Sequence, residues 1–310
     1  MINPDDLRAA YDAQLRLWVP ADLPTGIRYE RMGPVLRVSG RNQGFVETTR
    51  DVGVTGAELD ALIAKHRDFF AARGEAVEWK TRGHDLPVDL PDRLCAAGFV
   101  PEEPETVVVG ETERLNAVPV LPAGVTMRQV DTRADFERIA ALQSVVWGED
   151  HAWLAGELET SVRDAPADVL VFVAEAGGQV VSSCRLEFTP GTDFAGLWGG
   201  STLAAWRGRG IYRALVAHRA RLAHQRGARY LQVDASSDSK PILLRLGFQA
   251  PQNPKTPCMF HTHMQVFMKS KLPHSFGVVL QVKGLHYLLY LQPTVWTCIQ
   301  QVLRAFYAEQ

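Results

Sequence analysis

The chain has 310 residues, 46% of them apolar and 22% charged, with a formal net charge of −2. That length suits two modest domains, each able to bury a core, and the near-neutral balance argues against the strongly basic domain of a nucleic-acid binder. Cys95, Cys184, Cys258 and Cys298 make neither a CxxC pair nor a disulfide framework, which points to a reducing, cytoplasmic setting.

Asn3 as cap and Pro4 in the first turn predict an N-terminal helix, with Leu7, Tyr11, Leu15 and Trp18 on one face. The first residues carry no apolar signal core. Short strands follow at residues 28–30, 35–38 and 45–49. Thr55-x-x-Glu58 predicts a capping box that opens a second helix, with Leu59, Leu62, Ile63, His66 and Phe70 inward and Gly74 at its end. His66 reads as a core-edge side chain. A strand at 76–80, a short helix at 90–97 ending in Gly98-Phe99, and a strand at 107–109 come next. Residues 111–125, with Pro119 and Pro122 and no clear period, read as a linker.

The pattern then restarts. Residues 125–130 read as a strand, and Thr132-x-x-Asp135 opens a helix with Phe136, Ile139, Ala140 and Val146 inside. An apolar strand at 169–175, a Gly177-Gly178 hairpin turn and a strand at 180–188 follow. The order helix, Arg-Gly, strand, short helix, Gly-Phe occurs twice: at Arg73-Gly74 with Gly98-Phe99, and at Arg226-Gly227 with Gly247-Phe248. This weak internal repeat divides the chain into residues 1–115, 124–250 and an atypical extension, 251–310. The first copy has no glycine-rich loop and is expected to be structural.

In the extension five basic residues (Lys255, Lys269, Lys271, Lys283, Arg304) face a single acid, Glu309. Such a break suggests a separately acquired tail, a fusion, a shifted reading frame or a truncated product. Its most apolar stretch, residues 276–291, is interrupted by Gln281, Lys283 and His286, so no membrane span is expected. Residues 258–268 are expected to stand in for the last strand of the second half. Pro293 is expected to open a helix with Val295, Ile299, Val302 and Phe306 on one face. Cys258, His261 and His263 resemble part of a metal cluster but lack a firm fourth ligand, so no metal is expected.

The most informative segment runs from Gly199 to Leu215. A strand enters, a loop turns through Trp206-Arg207-Gly208-Arg209-Gly210, and a helix leaves with Ile211, Leu215, His218 and Leu222 at helical spacing. The first turn of such a helix directs unpaired N–H groups at the loop, and with the positive helix end these form an anion site. Gly208 and Gly210 let a phosphate approach the backbone. Arg207, Arg209 and Arg213 add charge and forked donors. The competing reading is a loop that merely turns, with solvated arginines. The agreement of strand, helix and three arginines favours phosphate.

This segment resembles the Arg/Gln-x-x-Gly-x-Gly/Ala motif of the GCN5-related N-acetyltransferase (GNAT) superfamily. Arg207 and Gly210 match, whereas Tyr212 stands where Gly or Ala is usual, a departure expected to narrow or reshape the cradle. The resemblance covers residues 125–248, includes Leu246-Gly247-Phe248, and is strongest to bacterial members with a degenerate first half and a Gly-Leu-Trp-Gly-Gly-Ser-Thr strand, matched here by residues 196–202. It implies an α/β (α+β) fold with a mixed central sheet flanked by helices, in two tandem halves.

The resemblance also implies a cofactor path. The pantetheine arm of acetyl-CoA would add like a strand between two splayed strands, against Gly200, Ser201 and Thr202, where two adjacent glycines suggest a bulge. The pyrophosphate would lie on Gly208, Arg209, Gly210, Ile211, Tyr212 and Arg213. Ser236 falls where relatives place a cofactor-contacting Asn. The implied reaction is direct attack by a primary amine, of a small molecule or peptide, on the thioester. A backbone N–H near the bulge would polarise the carbonyl, and a base would take the amine proton. Glu187 and Asp193 are the candidate bases, although each also reads as a solvated surface acid. The family's tyrosine before Gly-Phe is here Leu243, so the acid is missing or elsewhere. Trp147, Trp153, Trp198 and Trp206 read as core, groove wall or acceptor pocket. The alternative class is a non-catalytic acyl-CoA-binding or interaction protein. No nucleic-acid or membrane partner is expected, and a homodimer stays open.

Overall fold

The computed structural model describes residues 3–40, 43–102, 105–251, 264–266, 276–282 and 285–291. Asn3 caps the first helix, α1 (Pro4–Leu15), its side-chain oxygen accepting from the Asp5 amide at 3.0 Å. Leu7 and Tyr11 are its buried face. Strands β1 (Arg28–Met32), β2 (Val35–Ser39) and β3 (Gln43–Thr48) form an antiparallel meander. Helix α2 (Gly56–Arg73) buries Leu59, Ile63, His66 and Phe70 and ends at Gly74, which is left-handed at φ 63°. The expected capping box does not form: Thr55 makes no side-chain cap bond, and Gly56, at φ +55°, turns the backbone between Thr55 and the first helical turn. Then come β4 (Ala76–Trp79), α3 (Leu90–Ala96), β5 (Val100–Pro101), β6 (Thr106–Glu111) and α4 (Thr112–Leu115).

The second half opens with β7 (Val125–Val130) and α5 (Arg133–Trp147). The Thr132 hydroxyl caps α5 by accepting from the Asp135 amide at 3.3 Å. After α6 (Leu154–Asp164), β8 (Val169–Ala176) and β9 (Gln179–Phe188) form a hairpin. Gly177 and Gly178 close it at φ 55° and 80°, values that only glycine adopts freely. The chain continues through β10 (Phe194–Thr202), a 3-10 turn (Ala204–Trp206), α7 (Ile211–Gln225), β11 (Tyr230–Ala235), α8 (Lys240–Leu246) and β12 (Met264–Val266).

These strands make two mixed six-stranded sheets, ordered β1-β2-β3-β4-β12-β5 and β6-β11-β10-β9-β8-β7. The halves have exchanged a strand. β6, which chain order assigns to the first half, pairs antiparallel with β11 from Tyr230↔Glu111 to Ala235↔Thr106. β12, which follows α8, inserts between β4 and β5, with Met264 opposite both Trp79 and Pro101. Two expectations are thereby corrected. The strand at 107–109 belongs to the second sheet, and the strand within 258–268 closes the first. Both strands satisfy the open edge beside them, which need not be the edge nearest in sequence. The sheets therefore cross the boundaries expected near residues 115 and 250.

The repeat seen in sequence is a repeat of structure. α2-β4-α3 and α7-β11-α8 follow the same order, and Gly74, Gly98, Gly227 and Gly247 all have positive φ, from 63° to 106°. Beneath the second sheet, α7 and α8 share a core with Phe172, Leu186, Leu197, Leu215, Leu231 and Leu243. Alternation puts the neighbouring residues on the opposite face. There α5 and α6 cover β8 through Phe136, Leu158, Val171 and Val173, and α1 covers β6, β10 and β11 through Leu7, Tyr11, Val107, Phe194 and Tyr230. Each such buried side chain contributes roughly 1.5–3 kcal/mol.

Residues 268–310 form a separate unit, whose described part is a hairpin of β13 (Phe276–Val282) and β14 (Leu285–Leu291). The described residues of the apolar stretch 276–291 are thus strands, and among the described residues no helix is long and apolar enough to cross a membrane. The helix expected from Pro293 and the Cys258, His261 and His263 group lie outside the described residues.

Candidate functional site

β10 and β11 are parallel neighbours over three residue pairs only: Phe194↔Tyr230, Ala195↔Leu231 and Gly196↔Gln232. Past Gly196 the two strands part. On the other side of β10, the register with β9 shifts between Trp198 and Ser201, so Gly199 and Gly200 form a bulge, as two adjacent glycines predicted. Gly199 sits at φ +58°, which a side chain would strain. The edge of β10 that faces β11 therefore offers backbone groups with no ladder to join, in a slot of strand-like dimensions.

Beyond Thr202 the loop turns through Gly208 and Gly210, at φ 73° and 86°. No atom lies within 4 Å of where a β carbon would stand at either, so backbone conformation rather than crowding demands glycine. Gly210 begins α7 without a side-chain cap, and no acid occupies the first turn. The Ala214 amide bonds the Gly210 carbonyl at 3.0 Å. The amides of Ile211, Tyr212 and Arg213 precede this ladder and are left to the loop, at the positive end of the helix. Arg209 lies over the Trp206 ring at 4.7 Å. Arg207 donates through Nε to the Thr202 carbonyl at 3.1 Å, bracing the loop. Arg209 and Arg213 are exposed.

Tyr212 does not fill the cradle. Its ring turns under β10, 3.2 Å from where a β carbon at Gly200 would stand, so it floors the bulge. Burial pushes the Tyr212 hydroxyl pKa up, while Arg219 pulls it down. Leu243 is fully buried in the core. The Ser201 hydroxyl accepts from Trp147 Nε1 at 3.1 Å, and the Ser201 carbonyl accepts from Ser182 at 2.7 Å. Thr202 Oγ1 lies 2.9 Å from the same Ser182 hydroxyl. Ser236 accepts the Ser239 amide at 3.3 Å and so braces the entry to α8.

The two candidate bases separate. Glu187 lies opposite Gly196, just before the strands part, with its carboxylate held by Arg185 Nε at 2.7 Å. Asp193 stands before β10, at the end away from the bulge. Gly199 is six residues further along, about 20 Å in an extended strand. The Asp193 carboxylate accepts from Gln14 at 3.0 Å and its carbonyl accepts the Arg229 and Tyr230 amides. That position takes Asp193 out of the candidate bases. Sequence reasoning missed Asp234, which lies on β11 beyond the last pair with β10. Asp234 is within electrostatic reach of Tyr11 and Lys80, residues of the first half. No local pattern signals that proximity, because Lys80 is 154 residues and Tyr11 is 223 residues before Asp234 in the sequence. Among the described residues no group of three His, Cys, Asp or Glu could hold a metal.

Residues 133–248 match the model of the acetyltransferase (GNAT) family. This part of the chain is a GNAT domain. Among solved structures, a GCN5-related N-acetyltransferase from Kribbella flavida is 18% identical, with 77% of this chain and 88% of that one covered and a TM-score of 0.56. A GCN5-related N-acetyltransferase from Sphaerobacter thermophilus is 17% identical over 76% and 81% of the two chains, at 0.52. A tandem GNAT protein from the clavulanic acid biosynthesis pathway is 14% identical over 85% and 95%, at 0.53. These likenesses establish the fold: a GNAT domain in tandem with a second GNAT-like half. No curated protein matches the chain.

Proposed function

We propose that the chain is an acetyl-CoA-dependent N-acetyltransferase whose single cofactor site lies between β10 and β11. The observation that carries this reading is the combination of parted strands, bulged glycines and an α7 N-terminus with neither cap nor acid. Pantetheine would take the place of a missing strand beside Gly200, Ser201 and Thr202. The diphosphate would accept from the loop amides between Gly208 and Arg213, with Arg209 and Arg213 supplying charge. A primary amine of a small molecule or peptide would approach the bulge from the face that carries Trp198 and Glu187. Holding amine and thioester in one groove supplies much of the rate. Cys95 and Cys184 are free thiols, which suits the cytoplasm.

Calorimetry with acetyl-CoA tests the site. The wild-type chain is expected to bind one equivalent. Gly210→Glu, which adds a side chain and a negative charge at the α7 N-terminus, is expected to weaken binding at least about 100-fold, close to 2.7 kcal/mol. Arg213→Glu, an exposed change without backbone strain, is expected to weaken it less. Unchanged affinity in both variants would remove the site. Thiol release with a panel of amines then separates an enzyme from an acyl-CoA-binding protein.

A further inference from the structure

One polar group at the mouth of the slot is shut away from water with nothing to bond. Gln232 stands on β11 opposite Gly196, in the last pair before β10 and β11 part. It is 8% exposed, and its Oε1 is buried without a hydrogen-bond partner. An amide oxygen kept in this state is costly unless a donor arrives to meet it, and an apolar side chain of the same size would fill the space without that cost.

Alternation along the strand shows which face of the sheet Gln232 serves. Leu231 and Val233 belong to the core beneath α7, so Gln232 points to the opposite face. On that face the preceding row, Phe194 and Tyr230, is covered by α1. The next row runs straight across three strands as Gln232, Gly196 and Glu187. Gly196 makes a notch in it. A β carbon there would collide with Trp198 Nε1 and stand 3.2 Å from Gln232 Nε2, so the indole edge and the amide share the space over the glycine. The notch thus presents N–H donors from Trp198 and Gln232 beside the unmet Gln232 oxygen. The Glu187 carboxylate, held by Arg185, stands on the neighbouring strand.

We propose that this notch reads an amide next to the amine that is acetylated, so that the acceptor is an α-amino amide, the chemistry of a peptide's amino terminus. The proposal rests on the acetyl-CoA reading above and adds the acceptor's chemistry to it. The acceptor's amide carbonyl takes the Trp198 and Gln232 N–H groups, and its N–H donates to Gln232 Oε1. A free α-amino acid fits badly: its carboxylate only accepts, leaves that oxygen unmet and brings a second negative charge toward Glu187. An ester accepts without donating, and an alkylamine has neither group. The reach also suits an α-amino amide. Gly196 lies about 10 Å from the Gly199 bulge along β10. An attacking nitrogen about 3 Å from the thioester carbon, one α carbon, and a hydrogen bond of about 3 Å from the amide span that interval. A longer ω-amino amide would carry its amide past the notch. The acetyl group passes to the α nitrogen, the carbon–sulfur bond breaks, and the proton lost by the amine balances the one gained by the coenzyme A thiol. Gln232 takes no part in that transfer and sets specificity.

The test follows thiol release from acetyl-CoA by the full chain with alaninamide, alanine methyl ester, alanine, alaninol and propylamine. The wild type is expected to use alaninamide with a kcat/KM at least about tenfold above each of the others. Gln232→Leu is expected to keep acetyl-CoA affinity within about threefold by calorimetry, while the amide-to-ester ratio of kcat/KM falls to within about threefold of one. A merely structural role for Gln232 would lower both rates and leave their ratio as it was, which overturns the proposal. Trp198→Phe, which removes the indole N–H, is expected to lower the same ratio, and it decides alone if Gln232→Leu does not fold. An ester, amino alcohol, amino acid or alkylamine used as well as the amide also overturns the proposal, as does a chain that binds acetyl-CoA and uses none of the five. A chain that binds no acetyl-CoA is a different result, and overturns the cofactor reading itself.

Discussion

β3 and β4 in the first half run parallel over four residue pairs, Gln43↔Ala76 to Val46↔Trp79, before they part, much as β10 and β11 do over three. In the first half that gap is occupied. Arg16, from α1, donates to the Thr48 carbonyl at 3.3 Å and pairs with Asp85 at 2.5 Å and Asp12 at 2.6 Å. Arg82 pairs with Glu47, the first β3 residue past the register, and bonds the Tyr11 hydroxyl at 3.2 Å. The loop after β3 has no Gly-x-Gly, and Asp51 spends its carboxylate on the Gly53 amide at 2.8 Å. A duplicated fold duplicates the gap, but one gap is plugged by an arginine network and the other is left open. The helices differ in the same sense. Counted back seven residues from the shared Arg-Gly end, Arg219 of α7 corresponds to His66 of α2. Both are fully buried, but His66 stacks edge-on against Trp79 and has no partner at either ring nitrogen.

The largest effect that bears on this comparison comes from the exchanged strands. A chain ending at Ala250 lacks β12, so β4 and β5 each face an empty edge. It is expected to aggregate in size-exclusion chromatography, whereas a chain ending at Leu272 is expected to elute as the full chain does and to bind acetyl-CoA. A soluble, cooperatively folding 1–250 chain would show that the first sheet does not need its borrowed strand. Next in size, Arg16→Ala leaves Asp85 buried without its partner and is expected to cost about 3–5 kcal/mol by urea unfolding. A loss under about 1 kcal/mol would mean that the plug is ornamental to the first half.

The smallest effect is a pH dependence. Burial, then Arg37 and Lys65, lowers the His66 pKa to about 4. The unfolded chain takes a proton near the ordinary value, about 6.5, that the folded chain refuses. This contribution is therefore present above about pH 6.5 and is lost as pH falls toward 4. Between pH 7 and pH 5 the wild type is expected to lose about 2 kcal/mol through this group, and His66→Leu to flatten the profile. Equal slopes for the two would take His66 off the list of differences between the halves.

Much of this was legible in sequence because it is local. Asn3 and Thr132 cap their helices, Gly177-Gly178 closes its hairpin, and the echo of Arg-Gly and Gly-Phe marked the duplication. The glycine-rich turn into α7 was legible because its glycines, its arginines and the helix after them fall within ten residues. What failed was long-range or rotameric. A three-residue strand such as β12 has no preference among edges, so its place between β4 and β5 follows from the assembled sheet alone. Asp193 looked near the groove in sequence, but the length of β10 carries it to the far end. The inward turn of the Tyr212 ring depends on Gly200, twelve residues before it in the chain and beside its ring in space.

The exchange of β6 and β12 also sets a timetable for synthesis. The second sheet finds β6 already made when β11 emerges, so it can close as soon as α8 leaves the ribosome. The first sheet has to wait for residues 264–266, even though β1 to β4 are the oldest strands in the chain. Domains usually fold from the N-terminus as they are made. Here the older half is completed last, and until then a nascent chain carries an unfinished sheet whose open edges at β4 and β5 are natural contacts for a chaperone.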